Sequence, residues 1–151
     1  MIMEDKEKTM EVISRILEDA AFVFTDVISD NSIPTAGEWE AAGVGLDFSG
    51  EQCGQMRMWA SDGFTACVAA NMLGVAEDDP AAAEKGLDAL KESLNIIVGN
   101  YLTTFFGEEP IFDLGLPTPL AKEQLDADMN NPEAVWLSAD DHPIMFVIEK
   151  K

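Results

Sequence analysis

From Pro80 to Phe106 the chain has no internal proline, its apolar residues return at helical spacing, and the run then meets Gly107 and Pro110. This pattern predicts one long helix, because proline fits a first helical turn while glycine and a following proline stop the last one. Leu87, Leu90, Leu94, Ile97, Val98, Tyr101 and Phe105 fall on one broad face, which must pack against other elements. Asp88, Glu92, Asn95 and Gly99 follow at steps of four, three and four and form a narrow stripe pointing away from that face.

The rest of the chain supplies a sheet for this helix to lie on. Residues 4–20 read as a first amphipathic helix, with Met10, Ile13, Ile16 and Leu17 on its apolar side. Residues 21–29 are rich in β-branched and aromatic types and predict a strand, followed by a loop over 30–37. Two strands follow, over 39–48 and 54–59, joined by a turn at Ser49-Gly50. A helix over 62–73 is capped by Ser61 or Asp62 and stopped by Gly74. Short strands are expected at 111–114, 134–139 and 143–149, the last two around a turn at Asp140-Asp141-His142. The acidic stretch 122–132 reads as mobile or loosely helical. Short strand-to-strand links cannot make parallel crossovers, so the fold class is α+β, a largely antiparallel sheet with long helices packed on it. With 151 residues, one domain over 1–151 is expected.

Charge narrows the function. The formal net charge is -20, from 29 acidic and 9 basic side chains. Such a surface repels nucleic acid and anionic lipid, and it serves either solubility or a partner with a basic patch. The polar N-terminus MIMEDKEKTM lacks the apolar core of a signal peptide, and no run is long and apolar enough to span a bilayer, so a cytoplasmic protein is expected. Cys53 and Cys67 lie in apolar stretches and read as buried thiols, without a zinc cluster or a disulfide framework. His142 reads as a turn residue, and Glu77-Asp78-Asp79 and Asp126-Ala127-Asp128 lack calcium-loop spacing. Met56, Met58, Trp39, Trp59 and Trp136 read as packing residues.

The stripe on the long helix is the remaining candidate. A glycine inside a helix costs about 1 kcal/mol against alanine, and on an exposed face it lets another backbone come close. Glu92 and Asn95, at i and i+3, can act on one external object together. The residues alone fit either a solvated polar face or a docking ridge. The spacing Asp88-x-x-x-Glu92-x-x-Asn95, continued by Ile96-Ile97-Val98-Gly99-Asn100, resembles the phosphatase signature of the CheC/CheX/FliY family. The stretch AAGVGLDFSG at 41–50 is similar to a strand of that family. The family pattern sets a proline about two dozen residues after the asparagine; here Pro117 and Pro119 stand on either side of that place, around Thr118. A second Glu-x-x-Asn is not intact in the first helix, which offers Glu11-x-x-Ser14 and Glu18-x-x-Ala21, so the likeness is to the single-site, CheX-like branch.

The resemblance implies a phosphatase for the aspartyl-phosphate of a CheY-type response regulator. It implies Asn95 as the residue that positions the attacking water, Glu92 as the group that meets the regulator's active-site lysine, and Asp88 and Gly99 as partner-binding positions. It also implies a homodimer with no cofactor of its own, the Mg2+ belonging to the partner regulator. Two other functions fit the residues: an adaptor of this kind that binds a regulator without hydrolysis, and an acidic dimeric type III secretion chaperone.

Overall fold

The computed structural model describes residues 3–28, 30–35 and 37–151. Ser29, at the end of the expected first strand, and Ala36, in the expected loop, lie outside the described residues. In chain order the elements are α1 (Met3–Ala21), β1 (Asp26–Val27), a 3-10 turn (Asp30–Ser32), β2 (Ala42–Ser49), β3 (Gly54–Ala60), α2 (Asp62–Leu73), α3 (Pro80–Glu84), α4 (Gly86–Phe106), β4 (Asp113–Leu114), β5 (Thr118–Pro119), α5 (Lys122–Met129), β6 (Val135–Ala139) and β7 (His142–Lys150). Every strand pair is antiparallel, in the order β1-β6-β7-β3-β2-β4, with β5 also on β2. The α+β class read from the short links holds.

Side-chain alternation divides the sheet into two covered faces. Met56, Met58 and Ala60 of β3, with Ile144, Phe146 and Ile148 of β7, enter one core with the apolar sides of α1, α2 and α4. Leu90, Leu94, Ile97 and Val98 anchor α4 there and are fully buried, each contributing about 1.5–3 kcal/mol. Trp59 of β3 and Met145 and Val147 of β7 point to the other face, into a smaller cluster with Trp136 and Leu125. Trp39 precedes β2 rather than belonging to it, and its ring packs on Trp136 at a centroid distance of 5.1 Å.

Several expectations need correction. The strand at 21–29 shrinks to Asp26–Val27: α1 runs through Ala21, Phe22 turns left-handed at φ 56°, and Val23 N donates back to Leu17 O. β propensity was real there, but the sheet offers this edge only a two-residue partner. The long helix is interrupted at Lys85, so it consists of α3 and α4 at a bend where Gly86 packs on Thr65. Leu87 lies just after that bend and is exposed rather than buried. Cys53 is exposed in the turn between β2 and β3, and Cys67 is half-buried. The strand at 111–114 is confined to Asp113–Leu114.

The acidic stretch 122–132 is helical over Lys122–Met129. It contains α5, fastened to the sheet by Asp128. Arg57 donates to both Asp128 oxygens, Nε to Oδ2 and Nη2 to Oδ1, each at 2.8 Å. Trp59 Nε1 donates to Asp128 Oδ2 at 2.8 Å and Gln124 Nε2 to Oδ1 at 2.9 Å. Arg57 Nη1 reaches Glu149 at 2.8 Å and Gln55 at 2.9 Å. Burial alone would lower the Arg57 pKa, but its bonds to Asp128 and Glu149 outweigh that and raise it, so the cation is secure. Hydrogen bonding to Arg57 holds the Glu149 carboxyl below its usual range.

Candidate functional site

The stripe predicted on α4 is formed. Asp88, Glu92 and Asn95 are exposed, and Gly99 is half-exposed at the far end of the same ridge. Neighbouring polar groups on α4 are occupied by the helix itself: Ser93 Oγ donates to Ala89 O, Asn100 Nδ2 to Ile96 O, and Thr103 Oγ1 to Gly99 O. Asp88 lies 4.0 Å from Lys85 Nζ, an exposed pair that contributes little. Among the described residues, neither the Glu92 nor the Asn95 side chain has an internal hydrogen bond or ion pair. A carboxylate and an amide one turn apart are therefore free to act on something outside the chain. Gly99 is equally open: a Cβ built there meets nothing within 4 Å, so no contact inside the chain requires a glycine.

A strap, residues 113–119, runs beside this ridge. Leu114 shares a hollow of about 170 Å3 with Gly99, Leu102 and Phe112. At the other end, Pro119 shares a hollow of about 330 Å3 with Leu87. The helix rises roughly 18 Å between Leu87 and Gly99, and pairing to Phe48 and Val44 of β2 sets Leu114 and Pro119 roughly 13 Å apart. The strap thus travels antiparallel to α4, starting beside its Gly99 end and finishing beside its Leu87 end. On the opposite side of α4, Arg15, Asp19, Ile96 and Asn100 border a hollow of about 180 Å3 against α1.

The strap is bulged. Ser49 and Phe48 of β2 pair with Asp113 and Leu114, and Gly45 and Val44 pair with Thr118 and Pro119. Between these pairs β2 has Asp47 and Leu46, while the strap has Gly115, Leu116 and Pro117. One extra residue on one strand is a β-bulge, which bends the strand and re-aims its side chains. Gly115 N still donates to Asp47 O at 2.8 Å, so the extra residue falls at Leu116-Pro117, where Pro117 has no N–H to lose. Pro117 sits in the bulge and Pro119 in the paired segment, on the two sides of Thr118.

The other sequence candidates lie apart from the ridge. His142 begins β7 after a two-residue turn in which Asp140 and Asp141 both have positive φ, and its ring packs against Gly63. Cys67, Glu77 and Asp140 bring three ligand-type atoms within 4.8 Å of one another. Burial, and then the carboxylates of Glu77 and Asp140, push the Cys67 thiol up to about 12, so it stays protonated at neutral pH. Arg57 and Asp128 escaped the sequence reading. An arginine flanked by buried methionines in GQMRMWA was the available signal, since such a cation demands a buried acid. Among the described residues, no helix is long and apolar enough to cross a membrane.

The family profile described as chemotaxis phosphatase CheX matches residues 43–138. Among solved structures, the chain is similar to CheX in the CheX-CheY-BeF3-Mg2+ complex from Borrelia burgdorferi, with 22% identity, a TM-score of 0.68 and 96% of each chain covered. It is similar to the chemotaxis protein CheX of Vibrio vulnificus, with 13% identity, a TM-score of 0.65, and 96% of this chain and 95% of that one covered. A third is CheX of Desulfovibrio desulfuricans, with 14% identity, a TM-score of 0.64, and 97% and 100% covered. At these identities the solved structures show a shared fold. No curated protein sequence matches this chain closely enough to count as a relative.

Proposed function

This chain belongs to the chemotaxis phosphatase CheX family, and on that footing we propose that it hydrolyses the aspartyl-phosphate of a CheY-type response regulator, with Asn95 and Glu92 as the working side chains. The observation that carries the reading is the pair of unpartnered polar groups on an exposed helical ridge. The structural relative from Borrelia burgdorferi, held in a complex with CheY, supports a CheY-type partner.

An acyl phosphate is already activated for hydrolysis, so this chain need supply neither a nucleophilic side chain nor a metal. Its task is to hold a water in line with the phosphorus. An asparagine amide suits this: its oxygen accepts from the water, and its NH2 donates to a phosphoryl oxygen. Asn95 takes that role. Glu92, one turn earlier, meets a lysine of the regulator's active site, a charge-assisted bond of about 1.5–3 kcal/mol once water is excluded. Gly99 leaves room for the regulator's backbone, and Asp88 borders the docking ridge. The Mg2+ of the reaction belongs to the regulator.

Release of phosphate from a phosphorylated regulator, followed with wild type, Asn95→Ala and Glu92→Ala, tests the reading. Asn95→Ala is expected to lose rate with docking preserved, and Glu92→Ala to lose both. Wild-type rates from a folded, regulator-bound Asn95→Ala would overturn the assignment. Binding of the regulator by wild type without phosphate release would instead favour the adaptor that binds without hydrolysis. Membership of the CheX family removes the ground for the secretion-chaperone alternative.

A further inference from the structure

The strap beside the ridge carries an apolar surface that the hydrolytic chemistry does not use. Leu116 is 86% exposed and Leu114 37% exposed, and Ile111, just before the strap, is 85% exposed. These are not residues of a slack loop. The strap is paired to β2 on both sides of its bulge, and the helix that follows it is clamped by the buried Arg57–Asp128 pair. The bulge therefore holds Leu116 outward on an ordered backbone, between the hollow that Gly99 lines and the hollow that Leu87 lines. Leu114 stands one step away, at the rim of the hollow that Gly99 shares. Glu108 lines the same hollow as Leu114 and brings negative charge to this apolar strip, and the exposed Glu109 and Asp113 adjoin it in sequence.

We infer that Leu114 and Leu116 form an apolar shelf that grips the receiver domain of the regulator beside its phosphorylated pocket, and that this shelf determines which regulator the chain serves. The inference rests on the reading of the ridge as the regulator's docking site. The shelf is continuous with that ridge, and its acidic border selects a receiver whose matching surface is an apolar patch ringed by lysine or arginine. The ridge offers groups that any aspartyl-phosphate pocket could use. The shelf offers shape and apolar area, which differ from one receiver to the next.

The experiment is a binding titration against the CheY-type receivers of the same organism, loaded with Mg2+ and beryllofluoride in place of the acyl phosphate, beside phosphatase rates on the phosphorylated forms. Leu116→Ser should weaken binding of the preferred receiver about five- to tenfold and raise KM by a similar factor, with kcat within about twofold. Leu116→Met should restore wild-type behaviour. Leu114→Ser on top of Leu116→Ser should narrow the preference among receivers. Because Leu116 is almost wholly exposed, the melting temperature should not move, which separates docking from folding. Wild-type affinity and KM in Leu116→Ser would overturn the shelf while leaving the phosphatase reading intact. Binding that the leucine variants weaken, without phosphate release by wild type, would sink the hydrolytic reading and uphold the shelf. No binding of any receiver by wild type would overturn both.

Discussion

Replacing Gly99 with alanine should make this protein more stable and worse at its task. Gly99 lies in the interior of α4, where glycine costs about 0.5–1 kcal/mol against alanine. The added methyl meets no atom of the chain within 4 Å, so no clash offsets the gain. For a chain of 151 residues, 1 kcal/mol moves the midpoint by about 2–4 °C, so Gly99→Ala should melt roughly 1–4 °C higher. At a docked regulator the same methyl enters a packed contact. Overpacking costs about 1–3 kcal/mol, which is roughly a 5- to 150-fold loss of affinity. Thermal melting by circular dichroism and titration against a beryllofluoride-loaded receiver read the two effects on one preparation. A lower midpoint would mean that the ridge is not open as described. A higher midpoint with unchanged affinity would mean that Gly99 has no partner, and its assignment to docking would fall.

Two further predictions concern the clamp that holds α5 to the sheet. Asp128→Ala leaves Arg57 charged and buried, with exposures of 3% and 1% for the pair, and should cost about 3–5 kcal/mol in urea unfolding; a loss under 1 kcal/mol would contradict the clamp. Glu149, held below its ordinary value of 4.5 by Arg57, contributes stability that is complete above that pH and is lost as pH falls through its lower folded value. Glu149→Gln should therefore be less stable than wild type at neutral pH, with the gap closing below about pH 4.5. A gap that widened on acidification would refute the sign.

The ridge was legible because helical periodicity is local: the spacing of Asp88, Glu92, Asn95 and Gly99 fixes their common face whatever lies beneath. The cover on the second face of the sheet was not read from the sequence, although both alternate sets of side chains in the middle of β7 are apolar; in β3 the second set is Gln55, Arg57 and Trp59. The clamp was not legible, because Arg57 and Asp128 are 71 positions apart and no local pattern joins them. Without that bond, the acidic stretch containing α5 reads as loose. The bulge at Leu116-Pro117 escaped for a related reason, since an extra residue shows only against the register of β2. Strand propensity misled at Phe22 and Phe24, which follow a helix at the sheet's edge, where little sheet remains to pair with them.

The central claim is that an unpartnered amide on α4 holds the attacking water. Single-turnover decay of a phosphorylated receiver, measured with saturating Asn95→Ala, tests it most directly, provided that binding is measured on the same protein. The account predicts wild-type affinity within about threefold and a rate lower by about 100-fold. Decay as fast as with wild type at equal occupancy would contradict it.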